Sequence, residues 1–149
     1  MKNRYQSFTI LLNRITRNIH KIKTEEMNRF DLKSAHVSCL YYLYTSSKPL
    51  TSKELCGCCN EDKALISRSL GELEKKELVS CDDMKEKRYR SPLRLTGKGK
   101  EVAKYISEKI DAVLEGATQG LSIEKRNAMY EGLELICKNI EQICKNKGE

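Results

Sequence analysis

The chain has 149 residues, of which 39% are hydrophobic and 33% charged, with a formal net charge of +7 and a pI near 9.0. This length suits one compact domain with a core of ordinary size, and the positive excess favours a polyanionic partner such as nucleic acid. The early apolar run from Phe8 to Leu12 is broken by Asn13 and Arg14, and no stretch approaches the roughly 20 apolar residues of a membrane span, so the sequence reads as a cytoplasmic protein without a membrane partner. The seven cysteines are odd in number. In a reducing compartment they are expected as free thiols, not as a disulfide framework.

Residues 3–27 carry Phe8, Leu11, Leu12, Ile15, Ile19 and Ile22 at helical spacing, with Arg14, Arg17 and Lys21 between them. This predicts a first helix whose stripe must bury against a core or a second subunit. Residues 33–46 predict a second helix with Val37, Leu40, Leu43 and Tyr44 on its inner face, capped by Asp31 or Ser34. Pro49 stops it. Thr51 followed three residues later by Glu54 has the form of a capping box. A short helix to about Cys58 follows, with Gly57 and Asn60 weakening its continuation. Asp62 then caps a longer helix over residues 63–76, with Ile66, Leu70, Leu73 and Leu78 marking the buried side.

Residues 79–82 and 91–95 predict two short strands, with Pro92 placing the second at a sheet edge. Between them, five of the ten residues from Lys85 to Arg94 are Lys or Arg, against a single Glu. Thr96 caps a helix over residues 97–115, carrying Val102, Tyr105, Ile106, Ile110, Val113 and Leu114. Gly116 to Gly120 breaks it, and Ser122 caps a last helix to about Lys145, with Met129, Leu133, Ile136, Ile140 and Ile143 as its stripe. The fold class expected is mainly α with a small β-hairpin wing, a winged helix-turn-helix flanked by N- and C-terminal dimerisation helices. Residues 1–149 form one domain in this reading, with 1–30 and 97–149 as the dimerisation helices and 32–96 as the head.

Four segments in this order resemble the MarR family of bacterial transcriptional regulators: Leu32 to Leu40, Leu50 to Leu55, Asp62 to Arg68, and Leu95-Thr96-Gly97-Lys98-Gly99. The resemblance spans nearly the whole chain. It implies a homodimer that binds double-stranded DNA through a pseudo-palindromic operator, acts as a repressor, and is released by a small-molecule effector, often aromatic. The implied DNA-contacting residues are Thr51 and Ser52 at a helix N-terminus, Lys63, Ala64, Leu65, Ser67 and Arg68 on the recognition helix, and Lys85, Lys87, Arg88 and Arg90 on the wing. Helix N-termini attract phosphate, N-terminal residues of a recognition helix read base edges, and Arg pairs with guanine. Wing arginines suit a narrow minor groove. The chain departs from the family pattern at the wing, where Lys87 replaces the Asp that normally precedes Arg88.

In the family an effector cavity lies between head and dimer helices, which makes Arg14, His36 and Tyr41 its candidate lining here, against plain aromatic packing. Cys56 and Cys59 fall on positions where small apolar residues pack, and Cys58 is expected to be the most exposed of the three. Their spacing does not form a structural zinc knot, and a thiol- or metal-responsive role for the Cys56 to Cys59 cluster stands as the alternative. Cys137 and Cys144 share one helix face and are expected to pack, at a dimer interface. A winged helix used only for protein contact is the other alternative, and the basic wing argues against it. No nucleophile and base pairing, carboxylate pair or phosphate loop is visible, so no catalytic residue, metal ligand or cofactor is expected.

Overall fold

Three short helices in the middle of the chain meet through their apolar faces: α2 (Ser34–Thr45), α3 (Ser52–Cys59) and α4 (Lys63–Lys75). The computed structural model describes residues 3–81 and 91–146. Leu40 from α2, Leu55 from α3, and Ile66 and Leu73 from α4 are fully buried together with Ile106 further along the chain. Each such side chain contributes about 1.5–3 kcal/mol by leaving water. Val37 joins them as expected, but Tyr44 is 39% exposed and His36 and Cys39 take the inner face of α2 instead.

Local chemistry sets where these helices begin and end. Thr51 Oγ1 accepts the Glu54 N–H at 3.2 Å, and Glu54 accepts the Thr51 N–H at 2.9 Å, so two end groups of α3 are satisfied reciprocally. That backbone bond, with the Lys48 ammonium 2.9 Å from the same carboxylate, holds the Glu54 pKa down at about 2. Gly57 lies inside α3 and does not end it. Asn60, at φ 53°, makes the left-handed turn that does. Asp62 Oδ1 accepts the Leu65 N–H at 2.8 Å and caps α4 as expected. Neither Asp31 nor Ser34 caps α2, because Asp31 sits in the left-handed region at φ 53° and Lys33 occupies the cap position.

Three strands form an antiparallel sheet in the order β1 (Leu50–Thr51), β3 (Pro92–Leu95), β2 (Val79–Cys81). Leu50 faces Leu93 on one side and Cys81 faces Leu93 on the other. The expectation that Pro92 marks an edge strand is corrected: β3 is the central strand. Pro92 is tolerated because it is the first residue of β3, where its missing N–H removes no interior ladder bond. The strand β1, too short to show alternation, is what turns the expected hairpin into a three-stranded sheet.

The chain divides into two compact units, Met1–Lys109 and Ile110–Glu149. In the first, α1 (Arg4–Met27) runs into a 3₁₀ turn at Asn28–Phe30, as Met27 becomes buried. Arg29 donates to the Tyr105 hydroxyl at 2.8 Å, and that hydroxyl donates to Glu26 at 3.3 Å. Phe30 packs edge-on against the Tyr105 ring at 5.3 Å. This fastens the end of α1 to α5 (Gly97–Ala117). The second unit holds the last turns of α5 and α6 (Ile123–Asn146), capped by Ser122 Oγ from the Lys125 N–H at 3.3 Å. Among the described residues no helix is long and apolar enough to cross a membrane.

The start of α5 explains the segment Leu95 to Gly99. Thr96 Oγ1 accepts the Gly99 N–H at 2.9 Å and donates to the Glu77 carbonyl at 2.6 Å, while the Thr96 N–H donates to the Leu78 carbonyl at 3.1 Å. These bonds press α5 onto the backbone of Leu78. A Cβ at position 99 would collide with the Leu78 carbonyl, which is backbone and cannot swing aside. Gly99→Ala should therefore cost about 1–3 kcal/mol. Urea unfolding should show it as a lower midpoint with unchanged slope, whereas Gly97→Ala, where a Cβ meets open space, should leave the midpoint nearly in place.

Candidate nucleic-acid interface

The amphipathic pattern of α4 divides its residues cleanly. Ile66, Ser69, Leu70 and Leu73 point into the core, so Lys63, Ala64, Ser67 and Arg68 are left exposed and Leu65 half-buried. The helix N-terminal half thus presents two cations and a hydroxyl on the surface, with Asp62 fixing the chain entry. The residues expected to read DNA from this helix are brought together by the structure.

The two residues at the start of α3 do not join them as side chains. Ser52 is buried, which takes its hydroxyl off the surface. Thr51 Oγ1 is occupied by Glu54, accepting from its backbone N–H and donating to its carboxylate at 3.2 Å. Thr51 and Ser52, expected as a phosphate anchor at a helix N-terminus, stand at the N-terminus of α3, with the Thr51 hydroxyl engaged by Glu54 and Ser52 buried. Lys85, Lys87, Arg88 and Arg90 lie outside the described residues.

A cavity of about 510 Å³ opens beside this surface. The later turns of α1 contribute His20 and Thr24, the entry to α2 contributes Lys33 and His36, and α4 contributes Leu65 and Arg68. Of the three residues expected to line an effector pocket, His36 lines this cavity. Arg14 is exposed on an earlier turn of α1, and the Tyr41 ring stacks edge-on against Tyr42 at 5.4 Å. Sequence reasoning missed His20 and Glu72 as lining residues. Residues this far apart in sequence are joined only by helix packing, and no local motif signals it.

His36 connects two of the cavity walls. Its side chain is 2% exposed, with Nδ1 accepting the Lys33 N–H at 3.0 Å and Nε2 lying 2.7 Å from Glu72 Oε2 on α4. Both bonds are made at once by the neutral imidazole carrying its hydrogen on Nε2. Adding a second proton at Nδ1 would set it against the Lys33 N–H, another donor. Burial pushes the His36 pKa below its ordinary value, against the opposing pull of the Glu72 carboxylate. A second link runs from Lys76, just past the end of α4, to Asp31 at 2.9 Å. That ammonium pulls the Asp31 carboxyl below its usual range.

A capped pair of helices with the second one presenting its N-terminal half, closed by a small antiparallel sheet, is a winged helix-turn-helix. Solved structures of this arrangement superpose over nearly the full chain. A MarR-family regulator of Neisseria meningitidis matches with a TM-score of 0.79 at 17% identity, covering 97% of this chain and 99% of its own. The DNA complex of Staphylococcus aureus MepR matches at 0.79 and 19%, covering 93% and 99%. Staphylococcus aureus MarR in complex with salicylate and kanamycin matches at 0.79 and 16%, covering 92% of each chain. Neither a family sequence model nor a curated protein sequence matches the chain. The fold is that of the MarR-family transcriptional regulators.

The His36 geometry carries a pH dependence with a definite sign. Its folded pKa is depressed, so below the ordinary value near 6.5 the unfolded chain binds the proton and the folded one resists it. Stability is then lost as pH falls through that range, with a slope of at most about 1.4 kcal/mol per pH unit for one proton. Urea midpoints between pH 5 and 8 should fall on the acid side in the natural protein and flatten in His36→Asn. An unchanged slope in the variant would assign the dependence to other groups.

Proposed function

We propose that this chain is a homodimeric, sequence-specific DNA-binding regulator of transcription, a repressor that a small aromatic effector releases from its operator. The observation that carries the reading is the exposed N-terminal half of α4, with Lys63, Ser67 and Arg68 on one surface above a fully buried inner face. That is the geometry in which a helix enters a major groove and its first residues reach base edges. The net charge of +7 adds the phosphate attraction that such binding requires. The matching MepR structure is a DNA complex. In this reading Lys85, Lys87, Arg88 and Arg90 extend the contact to the adjacent groove. The reading includes no enzymatic step, and its setting is the cytoplasm.

The dimer follows from apolar surface that the single chain leaves in water. On α1, Phe8, Leu11, Leu12, Ile15, Ile19 and Ile22 are 36–54% exposed. On α6, Leu133, Ile136, Ile140 and Ile143 are 37–53% exposed, and Cys137 and Cys144 are exposed on the same helix. Continuous stripes of this length mark an association surface, and a second copy is the partner that covers both in a closed two-fold assembly. Two heads then address two half-sites.

Release follows from the cavity beside Arg68. The matching Staphylococcus aureus MarR carries salicylate and kanamycin. Here an aromatic molecule with a phenolic or acidic group would meet His20, Lys33 and Arg68 around an opening that also includes Leu65. A ligand that engages Arg68 or shifts α4 binds the DNA-incompetent arrangement better, and this difference alone moves the population off the operator.

Binding to the DNA upstream of the gene should fall steeply with salt. Arg68→Ala should cost about 1–3 kcal/mol and relax sequence preference, while Arg88→Ala should weaken all sequences more evenly. Equal affinity of Arg68→Ala and the natural protein for that DNA would show that α4 is not the reading helix. In sedimentation, the natural protein should run as a dimer and an Ile15→Glu, Ile140→Glu variant as a monomer that has lost operator affinity.

A further inference from the structure

Arg68 makes no ion pair or side-chain hydrogen bond among the described residues, although an acid stands where helix geometry supplies a partner. Glu72 follows it by four residues on α4, and side chains at that spacing are neighbours on a helix surface. Both line the same cavity. The Glu72 side chain is 43% exposed, so no packing prevents it from reaching along its own helix. Its carboxylate is engaged from α2 instead. Oε2 lies 2.7 Å from Nε2 of the buried His36 and 3.7 Å from the Lys33 ammonium, both at the entry of α2. An exposed arginine and a glutamate one turn apart, left unpaired, require a cause.

We propose that His36 is a positioning residue for Arg68, acting through Glu72: it holds the carboxylate towards α2 and so keeps the guanidinium unneutralised for DNA. The inference rests on the reading of α4 as the DNA-contacting helix. Relative strengths decide the competition for Glu72. The His36 ring is 2% exposed, and Nδ1 accepts the Lys33 N–H at 3.0 Å, so its neutral form donates from Nε2. A short hydrogen bond from a fixed, buried donor to a carboxylate is a strong one. The alternative pair of Glu72 with Arg68 is exposed and must order two long side chains. It also has the basic residue N-terminal to the acid, the weaker order on a helix. Glu61, the other carboxylate lining the cavity, precedes Arg68 by seven residues, beyond the spacing at which helical neighbours meet.

Without the imidazole donor, Glu72 retains only Lys33, whose side chain is 78% exposed and whose ammonium lies at 3.7 Å. The carboxylate then pairs with Arg68. A guanidinium bridged to an acid of its own helix has lost donors that the O6 and N7 acceptors of guanine would take, and the acid beside it repels phosphate. Glu72 is thus a competitor of DNA for Arg68 built into α4, and the bond to α2 keeps it disengaged. This differs from simple bracing of the helices. A brace would lose DNA affinity whatever side chain stands at position 72. A restrained competitor makes the loss depend on the charge of Glu72 and on the presence of Arg68.

A mutant cycle on the full chain tests this, with gel shifts on the duplex upstream of the gene and circular dichroism to confirm folding. His36→Asn keeps an acceptor for the Lys33 N–H but is too short to reach Glu72, and His36→Leu serves in its place if that variant does not fold. Either should bind roughly two- to fivefold more weakly than the natural protein, the worth of an exposed ion pair. Glu72→Gln should restore binding when combined with His36→Asn, and His36→Asn should change nothing in an Arg68→Ala background. His36→Gln, which carries a donor far enough out to meet Glu72, should bind more tightly than His36→Asn. A loss that persists in the double variant with Glu72→Gln assigns His36 a bracing role and overturns the proposal. Nitrogen–proton correlation spectra without DNA give an independent readout. The Arg68 Nε–H resonance, identified by its absence in Arg68→Lys, should shift in His36→Asn and return in the double variant. A resonance that stays in place in folded His36→Asn overturns the proposal whatever the gel shifts show. If it moves as expected while Arg68→Ala binds the duplex as well as the natural protein, the DNA reading of α4 fails and the exchange of partners at Glu72 stands without it.

Discussion

The imidazole of His36 is held between α2 and α4 by two hydrogen bonds that its neutral form makes together. This is the constraint on which the functional surface rests. An N–H of the helix entry comes in on one side and a carboxylate of α4 on the other, and the ring is removed from water between them. A buried polar group that is fully satisfied stabilises and orients, while one left half-satisfied is costly. The bond to Glu72 fixes α4 one turn beyond Arg68, so the angle at which the exposed half of α4 is presented depends on a histidine at the start of another helix. The same histidine lines the cavity, which places the candidate DNA-reading surface and the candidate ligand surface on a shared support.

Elements whose signal is local were legible in the sequence. Thr51 with Glu54, Asp62 and Thr96 each cap the helix that their spacing implies, because capping depends on one side chain and a backbone group three residues away. The periodic residues of α4 are buried as read, and the exposed face is the complement of that stripe. The glycine of Leu95 to Gly99 looked like a family signature. Its physical cause is a backbone approach to Leu78, which only three-dimensional packing reveals.

What failed to show had one common origin. Pro92 carries a residue-level bias towards edge strands, yet β1 joins on its other side through only Leu50 and Thr51. His36 in the sequence is a histidine among apolar neighbours, with Glu72 far along the chain. In each case the deciding partner comes from another element, and period or propensity holds no record of it. The cysteines differ from their expected places in a similar way: Cys56 and Cys59 are only half-buried, and the fully buried thiol is Cys39 on α2.

These contacts give α2 an unusual place in the head. His36 and Cys39 lie three residues apart, which on a helix is one side, and both are buried. The first reaches Glu72 on α4. One helix that contacts no base in the DNA reading thereby holds α4 through a polar contact, while the surrounding leucines and isoleucines supply adhesion without direction. Apolar attraction carries little directionality of its own, whereas hydrogen bonds to a ring nitrogen weaken steeply with misalignment. The orientation of the exposed face of α4 is thus tied to the chemical state of the His36 ring that holds Glu72.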